Sequence, residues 1–321
     1  MTICPLRTSN CHIVPALAPE HRQESAGAPD SDQTSESQFE MAPDQTLIVY
    51  DPLKYITWTT IRDYGQVNTN DLGSKSTHYV DVVGHTDPND PVCPRSLGMA
   101  FSIPSVRIHE TKHMLHYQIA KQTNGDASMA GVYYQDGKAI VFSNPKTKIT
   151  GFIALIPSEL RSEPSPYQTY IVDQMKYPSL NNIGYLFDEW SSYCSNITLN
   201  LQLEKIGTPE PEGEGHAANY SPHFFGYLAI AMQYLLVNEP EAVRNRQFKA
   251  AFALYSEITW DMMTKALKSP VFGDPNTIYG SRLSQIMNFY RNSSKFAQTR
   301  TSLATIYGKD WVQRLMRVRT D

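Results

Sequence analysis

The chain has 321 residues, with 28 Lys and Arg against 32 Asp and Glu, a formal net charge of −4. Near-balanced charge leaves no electrostatic footprint for nucleic acid, and 41% hydrophobic with 11% aromatic residues excludes a chain disordered throughout. No apolar run approaches the ~20 residues of a bilayer span, and four cysteines without a C-x-x-C pair exclude a zinc ribbon or a disulfide-dense scaffold.

Residues 1–45 differ from the rest. The stretch 20–45 is rich in Ser, Gln, Asp, Glu, Ala and Pro, with Phe39 as its one aromatic, and buries too little apolar surface to offset its ordering entropy. A flexible tail is expected there. Arg7 and the Ser9-Asn10 pair interrupt the apolar residues near the start, so no Sec signal peptide is expected. That leaves the cytoplasm or export by a non-Sec route. The composition is similar to leaders of bacterial proteins exported by specialised secretion systems, and equally to a plain solvated tail.

From residue 46 the texture changes. Residues 46–50, 55–61 and 78–83 are rich in Val, Ile, Thr, Tyr and Trp and read as strands. A helix is expected over 104–121, opened by Pro104 and closed by Asn124-Gly125. Residues 132–134 and 139–142 flank Gln135-Asp136-Gly137-Lys138, a hairpin signal, and 149–156 reads as a further strand. Helices are expected over 183–203, 221–237, 240–267, 278–290 and 309–318, with Pro222 and Pro240 in first turns. Strands and one helix followed by a helical half make an α+β chain, with parts 46–180 and 181–321. Cys93 and Cys194 could pair in an oxidising compartment, with two buried free thiols as the expected reading.

The segment that carries chemistry is His109-Glu110-Thr-Lys-His113, an HExxH sequence. On a helix its two histidines lie one turn apart on one face, where two imidazoles can hold one Zn²⁺ and Glu110 can take a proton from a water beside it. Val106, His109, His113, His116 and Ala120 form one stripe, and Ile108, Leu115 and Ile119 another, so the helix lines a cleft over a core. A third ligand is needed. Asp188 and Glu189 sit together in an aromatic helix whose apolar face is Ile183, Phe187, Trp190, Cys194 and Ile197. Glu189 flanks that face and Asp188 points nearly opposite, toward solvent. A half-buried carboxylate needs a cation, so Glu189 is the expected third ligand, with Asp188 as the near alternative. His116 is expected to support the site or the core rather than to bind metal.

HExxH followed by a Glu on a later helix resembles the zincin metallopeptidases of the gluzincin type, over about a third of the chain. The resemblance implies a zincin-like domain over 46–321, zinc on His109, His113 and Glu189, and Glu110 as general base. Arg107 and Lys112 depart from the uncharged surroundings of the family motif, and Tyr193 stands where many gluzincins place an Asp that orients the first histidine. No metzincin pattern is present. A donor for the tetrahedral oxyanion is sought among Tyr193, Tyr220 and His223, with Tyr193 preferred. The expected function is a zinc-dependent hydrolase cleaving peptide or protein substrates. A catalytically silent zincin-like binding protein is the alternative.

Overall fold

The computed structural model describes residues 49–65, 67–90, 103–123, 128–162, 165–208, 214–274 and 278–317. The chain divides into two units, Met1–Thr46 and Leu47–Asp321. The expected tail, most of the expected strand 46–50 and Cys93 lie outside the described residues. The structure is mostly helical (68%) with one small antiparallel sheet, compatible with α+β, so helix occupies more of the N-terminal half than expected.

The sheet has three strands in the order β1-β3-β2, with β1 over Trp58–Thr60, β2 over Met129–Gln135 and β3 over Lys138–Ser143. Ile140 lies opposite Trp58 on one side and Val132 on the other. The hairpin turn places Asp136 (φ 51°) and Gly137 (φ 68°) in the left-handed region, as a tight two-residue loop requires.

Two expected strands are helical. Residues 78–83 fall in α1 (Thr77–Gly84), capped by the Ser76 hydroxyl, which accepts from the Tyr79 amide at 3.1 Å. Tyr79 and Val82, three residues apart, are buried together, so tertiary packing overrides the β-branched composition. Residues 149–156 form α3 (Ile149–Phe152) and a 3₁₀ turn, with Ile149, Phe152 and Ile156 buried at helical spacing.

The expected motif helix is α2 (Pro104–Thr123). Its Ile108, Leu115 and Ile119 pack with Tyr79, Val82 and Tyr133. The later helices are α4 (Ile183–Lys205), α5 (Glu214–Asn238), α6 (Pro240–Arg244), α7 (Arg246–Lys268), α8 (Ile278–Asn292), α9 (Ala297–Tyr307) and α10 (Lys309–Met316). Pro222 lies inside α5 rather than in a first turn, because that helix starts at Glu214. The expected helix 240–267 is broken at Asn245, whose side chain accepts from the Gln247 and Phe248 amides and restarts the chain as α7. Helix α9 has no counterpart among the expected helices. Among the described residues no helix is long and apolar enough to cross a membrane.

Helix α4 packs against α2 as well as against α5 and α7. Trp190 is fully buried among Phe187, Phe225, Phe252 and Tyr255, and its indole donates to Thr259 at 2.8 Å. Ser191, Ser192 and Ser195 are buried as well, so α4 has no solvent face over this stretch.

Strand β2 braces α2 from behind. A Cβ built on Gly131 would lie 2.5 Å from Ile119 Cγ2 and 3.0 Å from the Ala120 amide nitrogen. Gly131→Val therefore forces β2 and α2 apart, and the expected loss of stability in a denaturant titration is about 1–3 kcal/mol. An unchanged midpoint would show that the two elements separate without cost.

Candidate metal centre

Helix geometry brings His109 and His113 onto the face of α2 that meets α4. The register of α4 is set at its start. Asn182 caps it by accepting from the Tyr185 amide at 2.9 Å, and Asn144 accepts from the Gly184 amide at 2.9 Å. That phase turns Glu189 inward, 6% exposed, onto the two histidines.

The Nε2 atoms of His109 and His113 are 2.9 Å apart, and Glu189 Oε2 lies 3.4 Å from the first and 3.6 Å from the second. Ligand atoms ~2.0–2.1 Å from a tetrahedral Zn²⁺ would be about 3.3–3.4 Å apart; the two Glu189 distances are close to that spacing, and the two histidine nitrogens sit closer together than it. Among the described residues these three form the group whose ligand atoms all lie within 4.8 Å of one another. Glu189 Oε2 is buried with no hydrogen-bond partner, which fits a carboxylate shaped for a cation. The donor set, two imidazoles and a carboxylate, is the chemistry that zinc accepts.

The structure corrects the orientation expected for Asp188. Its side chain faces α2, not solvent. His113 Nδ1 donates to Asp188 Oδ2 at 2.8 Å and His116 Nδ1 bonds Oδ1 at 2.5 Å. The physical reason is the sandwiching of α4: a wheel with one buried face assigns its opposite side to water, but here α2 occupies that side. Burial opposes ionisation of Asp188, yet the charge of His113, with the hydrogen bonds from His113 and His116, outweighs it and holds the carboxyl below its ordinary range. Asp188 thus holds the His113 ring with Nε2 toward Glu189 and His109. His116, 4% exposed, is pushed down to about 4 by burial against the pull of Asp188, so it is neutral and outside the ligand group.

His113 behaves oppositely. Burial works against its imidazolium, but Asp188 and Glu189 raise its pKa well above the ordinary histidine value. A metal ion on Nε2 must displace that proton. The sign follows: at neutral pH, below the raised pKa, binding releases about one proton and affinity increases with pH. Calorimetric zinc titrations at pH 7 in two buffers of different ionisation enthalpy measure it. Equal heats in both buffers would show that His113 Nε2 carries no displaceable proton.

Glu110 is half-buried on α2 beside His109, and its charge is felt at Tyr193. Tyr193 lies on α4, one turn after Glu189. Its ring packs edge-on against His109 at 4.5 Å, and its hydroxyl shares a 2.5 Å hydrogen bond with Tyr170. Burial, then the charge of Glu189, holds the phenol well above its ordinary pKa, so it is a proton donor. His109 Nδ1 is buried without a hydrogen-bond partner, so the Tyr193 ring packed against it is what braces this imidazole. Tyr170 belongs to a π-helical segment, Tyr167–Asp173, that no periodicity signalled. Tyr220 lies 5.2 Å from Tyr193, ring to ring, whereas buried His223 neighbours Tyr227 at 6.3 Å and is outside the ligand group.

The two charged residues that depart from the motif's usual surroundings both have local roles. Arg107 pairs with Asp71, and Lys112 is buried with its ammonium donating to the Ser195 hydroxyl at 2.7 Å. Compared with known proteins, the chain matches no family model, no curated protein and no solved structure, so the chemistry of the centre has to be argued from these residues.

Proposed function

We propose that this chain is a zinc-dependent hydrolase that cleaves peptide bonds. The observation that carries the proposal is the convergence of His109 Nε2, His113 Nε2 and Glu189 Oε2, the last without a hydrogen bond, within a span of 4.8 Å, next to Glu110. Zinc held there would polarise the scissile carbonyl and lower the pKa of a bound water. Glu110 is not a ligand and is half-buried, which suits it to accept a proton from the attacking water and pass it to the leaving nitrogen. The Tyr193 hydroxyl, kept protonated by its surroundings, is the donor for the developing oxyanion. Asp188 fixes the His113 tautomer throughout.

Elemental analysis of purified protein, followed by a scan of a peptide library with mass-spectrometric readout, tests this reading. About one zinc per chain and cleavage abolished by chelation and restored by zinc are expected. Zinc with no cleavage of any peptide favours a silent binding protein. Protein that takes up no metal from zinc-replete medium removes the hydrolase reading.

A further inference from the structure

A second cavity lies apart from the metal centre, between α1, α2, β2, α4 and α7, with a volume of about 460 Å³. None of its lining residues belongs to the ligand group. That volume falls in the range of roughly 300–1,000 Å³ typical of small-molecule pockets. Lys112 reaches it from α2, only 2% exposed. An ammonium has three donors, and the bond this one makes goes to the neutral Ser195 hydroxyl. Among the described residues no carboxylate lies within 4.0 Å of it, and its other neighbour is the Tyr255 ring at 5.9 Å. Asp81 and Asp188 act on it only from beyond ion-pair distance. His78 Nε2, also lining the cavity, is buried with no hydrogen-bond partner. A buried ammonium bonded to one neutral hydroxyl and a buried imidazole nitrogen with no partner therefore face one space. Asp261 and Lys265, further out on α7, pair with each other at 2.6 Å and are largely exposed. The remaining lining includes Leu201, Ile258 and Met262.

We propose that this cavity binds a small carboxylate with an apolar body, the carboxylate on Lys112 Nζ and His78 Nε2 and the hydrocarbon against Leu201, Ile258 and Met262. A buried unpaired ammonium is costly, and a single anionic group relieves that cost. Burial and the nearby Lys112 charge keep His78 neutral, pushed down to about 3, so the buried head site carries one positive charge and matches a monoanion rather than a phosphate dianion. The aliphatic lining supplies the rest of the affinity by removing apolar surface from water.

Sodium octanoate is the probe, titrated into the full chain by calorimetry with octan-1-ol as the uncharged control. Saturable octanoate binding is expected, about tenfold or more tighter than octanol. Lys112→Met is expected to weaken octanoate about tenfold or more, while Lys112→Arg stays within about threefold of wild type. Should Lys112→Met fail to fold, Ile258→Trp fills the cavity from α7 without touching the ammonium and is expected to abolish binding of both probes. The proposal is overturned by wild-type protein that shows no saturable octanoate binding up to about 10 mM. It is equally overturned by octanol binding as tightly as octanoate, or by unchanged binding in folded Lys112→Met or Ile258→Trp. The readout is heat of binding, so the result is independent of whether the metal centre hydrolyses anything.

Discussion

Glu189→Ala is expected to prevent metal uptake at the candidate centre, whereas Glu110→Gln is expected to leave uptake intact and to remove the proposed hydrolysis. The difference follows from where the two carboxylates stand. Glu189 Oε2 is one corner of the triangle with the two Nε2 atoms, at 3.4 and 3.6 Å, and is buried with no other partner. Without it two imidazoles remain, and the affinity loss is expected to exceed the ~10–100-fold that follows from disturbing a group behind a ligand. Glu110 lies outside the triangle. Its amide variant keeps shape and hydrogen-bonding capacity but cannot accept the proton, so kcat is expected to fall by about 10²–10⁴ at unchanged zinc content. Zinc stoichiometry by elemental analysis and kcat on a cleaved peptide separate the two. Full zinc in Glu189→Ala would place the third ligand elsewhere. Undiminished turnover in Glu110→Gln would remove its role as base.

Asp188→Ala is the second large effect, and it distinguishes tertiary structure from pattern. A helical wheel with one buried face makes Asp188 a surface acid whose loss does nothing. The structure makes it the shared acceptor for His113 at 2.8 Å and His116 at 2.5 Å. Removing it frees the His113 ring to rotate and withdraws the negative charge behind it. Zinc affinity is expected to fall about 10–100-fold in competition with a chromogenic chelator. The variant also strands buried His116 without its acceptor, costing about 1–3 kcal/mol in denaturant unfolding. Asp188→Asn, which retains one oxygen acceptor, should recover part of both losses. Wild-type affinity and stability in Asp188→Ala would show that the two histidines are held by their packing alone.

Much of the candidate centre was legible because it is local. His109 and His113 share a face through the helical repeat itself, and no tertiary contact can change that. The hairpin was legible for the same reason: Asp136-Gly137 admits the left-handed conformations of a two-residue turn and most other pairs do not. Glu189 was legible through cost, since a carboxylate on the flank of an aromatic helix requires a positive partner.

What the sequence by itself determined is therefore the set of elements whose instructions are short in range: the motif helix, the hairpin, the long C-terminal helices and the inward turn of Glu189. Tertiary structure alone decided the rest. Residues 78–83 are rich enough in β-branched and aromatic side chains for a strand, yet Tyr79 and Val82 become buried together only on a helix, and packing free energy exceeds a weak local propensity. Asp188 changed from surface acid to the residue that orients His113 because α4 is covered on two opposite sides, and periodicity reports one buried face, not how many neighbours a helix will have. Tyr170 reached Tyr193 from 23 positions away through a π-helical turn with no repeat to read. The cavity beneath Lys112 is likewise a property of five elements meeting, and a lone lysine in a helical motif carries no mark of the space it will face.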